Sequence, residues 1–350
     1  EIQRVFSQKP DFEDRASLDV AYVTDEGLPF NPLIPIPRKH SRTEELIINL
    51  PNHISELVSL FDRTCDLGVQ QANNLQEVVK NAFGDMGIDV RHQTLFDEEQ
   101  EFPYFGQISE VLRELDMLAY NRLSSFFNLN IFRQEYSGRP FSDLLNKSIV
   151  ISLVGISNPI VQNAIMELII LSAYNYYNIQ DNAEVIKQVF VIDEAHKIVE
   201  SKITEEFVRQ CRKFGVSTIL SSQYLDEFKD TVTNSMDTKL FHTTGGGITK
   251  AKQVTDLIGI PGQEQEILNL NKFELFMDNP QNRHSKTRTI NYPMYLIHSH
   301  LKVKKEATFE EVSNIQGIQS TRVKPLLEQL EKIGLAENRH GIIRLVDRDD

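Results

Sequence analysis

The sequence has 350 residues, 40% hydrophobic and 25% charged, enough for one large or two medium domains with a real core. Its 37 basic and 50 acidic residues leave a formal charge of −13, which excludes a protein that coats nucleic acid with its whole surface but leaves room for a basic pore or patch. No stretch reaches the ~18 uninterrupted apolar residues of a membrane span and none has the form of a signal peptide, so the chain reads as cytoplasmic, with Cys65 and Cys211 as free thiols.

The chain starts Glu1-Ile2-Gln3 without an initiator methionine, which points to a processed or truncated polypeptide. Residues 17–24, SLDVAYVT, suit a strand. Pro29, Pro32, Pro35 and Pro37 then bar helix and central strand, so LPFNPLIPIP reads as an extended connector on a domain surface, within a first segment 1–50. Residues 51–147 read as an inserted helical layer. Ile54, Leu57, Val58 and Phe61 share one helix face, and Ala72, Leu75, Val79 and Ala82 form a second stripe after a break at Gly68. Residues 84–106 are loop-like, and Ile108 to Leu118 mark another helix that runs towards Phe127.

From Ser148 the pattern alternates. Apolar runs at 149–155, 188–195, 216–223 and 238–244 predict strands, with helices at 160–177 and 205–214 between them. Such runs between helices indicate a mostly parallel sheet covered on both faces, and this α/β core spans 148–295. The last segment, 296–350, is net neutral. A short helix from Thr308, a helix with Val323, Leu326, Leu327, Leu330 and Ile333 on one face, a stop at Gly334 and the strand GIIRLV suggest a small winged-helix-like domain.

The residues with chemistry sit at strand ends. Val189-Phe190-Val191-Ile192 runs into Asp193-Glu194, and in a parallel sheet ligands bind beyond the carboxyl ends of the strands. Asp193 suits a Mg²⁺ ion carried by a nucleotide, and Glu194 can polarise an attacking water. The plainer reading is a strand ending in solvated acids. The next strand ends at Gln223, whose amide can reach a γ-phosphate or that water, or simply cap a loop. Arg209, Arg212 and Lys213 lie between the two strands, as phosphate-binding guanidinium and ammonium groups or as cations at a helix end. Gly245-Gly246-Gly247 reads as a loop, and the histidines, His298 and His300 included, show no metal spacing. No G-x-x-x-x-G-K-[S/T] loop occurs anywhere; Lys147-Ser148 follows Asn146 rather than glycine.

Residues 189–198, 208–228 and 238–247 resemble the HerA branch of the HerA/FtsK superfamily, and LPFNPL, DLGVQQANNLQEVV and PYFGQISEVL resemble the part that follows its phosphate-binding loop. The resemblance covers roughly residues 20–280. It implies a RecA-like P-loop NTPase core using ATP and Mg²⁺, with Asp193 on the metal side, Glu194 as catalytic base, Gln223 as γ-phosphate sensor and Arg209 or Arg212 as a residue acting on a neighbour's nucleotide. It further implies a homo-oligomer, a hexameric ring that moves duplex DNA, working with a nuclease in DNA processing or phage defence. The ATPase of a DNA-phosphorothioation-dependent restriction system fits such a chain. The departure is the absent phosphate-binding loop, expected upstream of Glu1, without which this fragment is expected to turn over negligibly. The alternative is a degenerate, non-catalytic ATPase fold that scaffolds a complex or binds DNA through Arg322 and Lys324, with the last domain docking DNA or protein.

Overall fold

The structure, a computed structural model, describes residues 18–346 apart from 200, 224, 244–246, 272–273, 282–284, 290–291, 316–317 and 333. Thr244, Gly245, Gly246 and Ile333 therefore lie outside the described residues. The chain divides into two compact units between Met236 and Asp237.

In the first unit, β1 (Leu18–Tyr22) runs into a one-turn helix, α1 (Val23–Glu26). The proline-rich segment that follows is not the surface connector the sequence suggests: Leu28, Phe30 and Leu33 are fully buried. Proline removes ladder and helix hydrogen bonds but does not stop the side chains between prolines from packing. The buried backbone finds partners one at a time. Leu28 N donates to Ile131 O at 2.7 Å and Asn31 N to Arg139 O at 2.9 Å. The Asn31 side-chain amide donates to the carbonyls of Pro103 and Ser137, both at 2.8 Å.

Three short strands, β2 (Arg38–Lys39), β3 (Leu46–Asn49) and β4 (Gln93–Leu95), make an antiparallel sheet in that order. Strands of two to four residues are too short to show a period-two pattern, and the sequence reading missed them. The helical layer is α2 (Leu50–Cys65), α3 (Val69–Asp85), α4 (Phe105–Leu115) and α5 (Met117–Asn128). Gly68, at φ 85°, breaks α2 from α3. Asp116 turns what reads as one helix into α4 and α5: its carboxylate accepts from the N–H groups of Leu118 and Ala119, both at 3.0 Å.

A short α6 (Ser142–Leu145) leads to β5 (Ser148–Ser152), which pairs in parallel with β1. Next come α7 (Pro159–Tyr177), β6 (Gln188–Ile192), α8 (Lys202–Gln210), β7 (Val216–Leu220) and α9 (Asp230–Ser235). Asn158 accepts from Ile160 N at 3.0 Å and Pro159 occupies the first turn, which sets the start of α7. β6 and β7 pair in parallel, Gln188 opposite Val216 and Ile192 opposite Leu220, joined by the α8 crossover. This is an α/β protein. One apolar core runs from Phe61 of α2 and Phe83 of α3 through Leu168 of α7 to Ile192 of β6 and Phe207 of α8, so the helical layer and the strand–helix segment share an interior.

In the second unit, β8 (Lys239–Phe241) is the strand foreseen at 238–244. It joins an antiparallel sheet of order β10-β9-β8, with β9 (Glu274–Asp278) and β10 (Ser285–Arg288), instead of extending the parallel series. Helices α10 (Gly247–Ile258) and α11 (Glu264–Leu268) lie between β8 and β9 in sequence. The chain ends with α12 (Tyr292–Lys304), β11 (Glu306–Thr308), α13 (Phe309–Ser313), α14 (Ser320–Lys332), β12 (Ala336–Arg339) and β13 (Ile342–Leu345). Val323, Leu326, Leu327 and Leu330 form the buried face of α14, packed in one cluster with Ile297, Leu301 and Ile343. Among the described residues no helix is long and apolar enough to cross a membrane.

Candidate active site

β6 and β7 deliver the polar residues to one end of the parallel pair. Beyond the strands the ladder continues for one step: Ser221 N donates to Ile192 O at 3.0 Å and Ala195 N to Ser221 O at 2.8 Å. Those two bonds fix Asp193 and Glu194 beside Ser221. The Ser221 hydroxyl and the Glu194 N–H, the latter at 3.1 Å, both donate to Asp193 Oδ1. The Asp193 side chain is otherwise exposed at the strand end, open to a metal or its water shell.

Glu194 adopts a left-handed backbone, φ 52° and ψ 43°. For a residue other than glycine this costs about 1–2 kcal/mol and persists only where surrounding contacts hold it. They do so here. Ala195, Ile198 and Val199 are buried on one side, and the Glu194 carboxylate is held on the other. Gln223 Nε2 donates to Glu194 Oε1 at 3.2 Å, and His196 Nδ1 lies 3.3 Å from Glu194 Oε2. The structure thus brings Asp193, Glu194 and Gln223 together. It also adds residues that the sequence reading did not single out: Ser221, His196 and, behind them, Ser222 and Glu227. The signal available was the histidine after the acid pair and the small polar residues before Gln223.

Arg209, Arg212 and Lys213 are not part of this cluster. α8 carries the chain back along the sheet, so these residues precede the amino end of β7, whereas Gln223 follows its carboxyl end; the five-residue strand between spans roughly 16 Å. Arg209 Nη1 lies 3.5 Å from Glu205 Oε1, one turn earlier on α8, and its side chain is exposed. Lys213 sits over the Phe214 ring, 4.7 Å from its centroid. The role of the RKFG segment in this chain is visible in its backbone. Gly215, at φ 82°, accepts from Lys187 N at 2.7 Å and so aligns the entry to β6. A Cβ at Gly215 would lie 2.5 Å from Val185 O, so a larger residue would force the two strand entries apart.

Two supports lie behind the cluster. Lys197 donates to Gln162 Oε1 at 2.8 Å, and Gln162 donates to Ile156 O at 2.5 Å, tying the turn after β6 to the loop between β5 and α7. Glu167, the lone acid in the apolar α7, is buried and accepts from Arg63 of α2 and, at 3.2 Å, from Ser201 Oγ at the start of α8. Cys65 and Cys211 are buried free thiols. Burial pushes their pKa values up to about 11 and about 12, so neither is a nucleophile at neutral pH. Hollows of about 240 Å³, beside Leu67 and Leu118, and 260 Å³, beside Ile48 and Phe102, lie in the helical and β2–β4 region and are not lined by the strand-end cluster.

No protein-family description and no curated protein matches this sequence. Solved structures similar to it include the bacterial conjugative coupling protein TrwBdeltaN70 in its unbound monoclinic form, 10% identical over 78% of each chain with a TM-score of 0.48. The trigonal form with sulphate is 11% identical over 77% of each chain, with a TM-score of 0.49. The genome packaging NTPase B204 from Sulfolobus turreted icosahedral virus 2, in complex with sulfate, is 14% identical over 44% of this chain and 72% of its own, with a TM-score of 0.34.

Proposed function

We infer that this chain is the hydrolytic portion of an ATP-dependent DNA translocase of the HerA/FtsK kind. The observation that carries the reading is the meeting of Asp193, Glu194 and Gln223 at the carboxyl end of a parallel strand pair, where nucleotide ligands bind in open α/β sheets. Asp193 fits a Mg²⁺ ion because one of its oxygens is fixed by Ser221 and the Glu194 N–H while the side chain stays exposed. A hard cation of this kind takes one or two carboxylates and completes its shell with phosphate and water, so no protein cage is needed. The metal supplies charge neutralisation on the phosphates. Glu194 orients and deprotonates the attacking water, and Gln223 reports the γ-phosphate by exchanging its bond to Glu194 for one to that group.

The phosphate-binding loop comes from outside these 350 residues. Arg209 and Arg212, at the other end of β7, act in this reading on the nucleotide of a neighbouring copy in a ring. From the family resemblance we further infer duplex DNA as the track, a hexamer as the assembly, and a nuclease partner in a phage-defence restriction system.

The test uses the polypeptide that carries both this chain and the phosphate-binding loop. Glu194→Gln is expected to lower ATP turnover about 10²- to 10⁴-fold, the usual contribution of a general base, with ATP binding retained. Turnover near wild type in that variant would remove Glu194 from the role and leave the non-catalytic scaffold as the better reading.

A further inference from the structure

Glu194 is held by more than Gln223. His196 Nδ1 lies between two carboxylates, 3.3 Å from Glu194 Oε2 and 3.7 Å from Glu227 Oε2. Glu227 is itself fixed: the Ser222 hydroxyl donates to its Oε2, and Ser222 Oγ lies 3.5 Å from the same imidazole nitrogen. All four side chains are partly shielded from solvent. They come from both strand ends, Glu194 and His196 after β6, Ser222 and Glu227 after β7. A single imidazole nitrogen facing two carboxylates is best satisfied as a donor, which selects the Nδ1–H tautomer.

We propose that His196, backed by Glu227 and Ser222, is a positioning residue that sets the side-chain orientation of Glu194. The proposal rests on the reading of Glu194 as the hydrolytic base and adds the device that aims it. Gln223 donates to Oε1 and His196 Nδ1 lies 3.3 Å from Oε2, so each oxygen of Glu194 has a polar neighbour. When Gln223 turns to the γ-phosphate, Oε1 is freed for the attacking water while His196 keeps Oε2 in place. In this proposal His196 acts through Glu194. Glu227, 3.7 Å from the same nitrogen, keeps the ring from turning away. A base misplaced by about an ångström costs large factors in rate without changing substrate affinity.

The experiment has two arms. In the polypeptide that carries the phosphate-binding loop, His196→Phe is expected to lower kcat roughly tenfold or more with KM for ATP unchanged. His196→Asn, whose amide donates from nearly the Nδ1 position, is expected to recover most of that loss, and Glu227→Gln to fall between. Wild-type kcat in His196→Phe while Glu194→Gln is dead overturns the proposal and leaves the base assignment standing. In the 350-residue chain, ¹⁵N spectra of the imidazole are expected to show His196 protonated on Nδ1, with shifts that move in both Glu194→Gln and Glu227→Gln. This arm decides the contact even if Glu194→Gln proves active and the base assignment fails. A ring that is Nε2-protonated, or indifferent to both substitutions, overturns the proposal whatever the kinetics.

Discussion

Phe61 and Val191 are apolar residues of regular elements in the same unit, yet Phe61 is 1% exposed and Val191 69%. Phe61 sits in a ring cluster contributed by the helical layer. Its centroid lies 5.0 Å from Phe105, 5.6 Å from Phe126 and 6.4 Å from Phe132, each pair near edge-to-face. The β6–β7 pair is covered on one face only. Phe190 packs on Phe207 and Tyr177, while Val189, Val191 and Ile219 stand exposed on the opposite face. Parallel sheets are normally covered on both faces. The helical layer is a complete, enclosed cluster, whereas the strand pair leaves one apolar face exposed.

The largest effect should come from the complete part. Phe61→Ala is expected to cost about 3–5 kcal/mol, since it removes a buried ring and leaves a cavity that its aromatic neighbours cannot close. Urea unfolding of the 350-residue chain measures it, read from the far-ultraviolet signal. A loss under about 1 kcal/mol would mean the cluster relaxes freely and that the helical layer is not the rigid part of the comparison.

A somewhat smaller effect follows from His53 of α2. Burial lowers its pKa from 6.5 to about 4, against the carbonyls of Leu33 and Pro32, which pull it up. The ring's Nε2 is shut from solvent with no partner. Between pH 6.5 and 4 the unfolded chain therefore binds a proton that the folded chain refuses. Stability is fully present above pH 6.5 and falls as the pH drops towards 4, by up to roughly 3 kcal/mol. His53→Gln should flatten that part of the pH dependence, measured as unfolding midpoints at pH 7.5 and 4.5. An unchanged slope would show that other groups carry it. The carbonyls involved belong to the proline-rich segment, so the same measurement reports how firmly that segment is packed onto α2.

Much of this arrangement could be read in advance, for definable reasons. β6, β7 and α7 are long apolar runs with sharp polar ends, and the acids and the amide fall just past those ends. The burial of Leu28 and Phe30 was not readable, because proline density reports on backbone hydrogen bonding and says nothing of what the neighbouring side chains touch. Glu194's left-handed backbone sits between the buried Ala195, Ile198 and Val199 and the side chains of Gln223 and His196, a tertiary setting with no local signature. Glu227 and Glu194 are 33 positions apart, and only the folding of the loop after Gln223 turns that separation into a shared imidazole. Arg209 and Arg212 could be placed on the crossover helix, but spacing alone did not reveal that they stand at the opposite end of β7.

The smallest effect is the one that tests the open face directly. Val191→Thr keeps the branched shape and the strand preference while adding a hydroxyl on the exposed side, opposite Ile219 in the register. If that face meets water, the substitution should change stability by no more than about 0.5 kcal/mol, as for ordinary surface positions. If it costs more than about 1 kcal/mol in the 350-residue chain, a buried hydroxyl without a partner is the explanation, and the face is covered in solution.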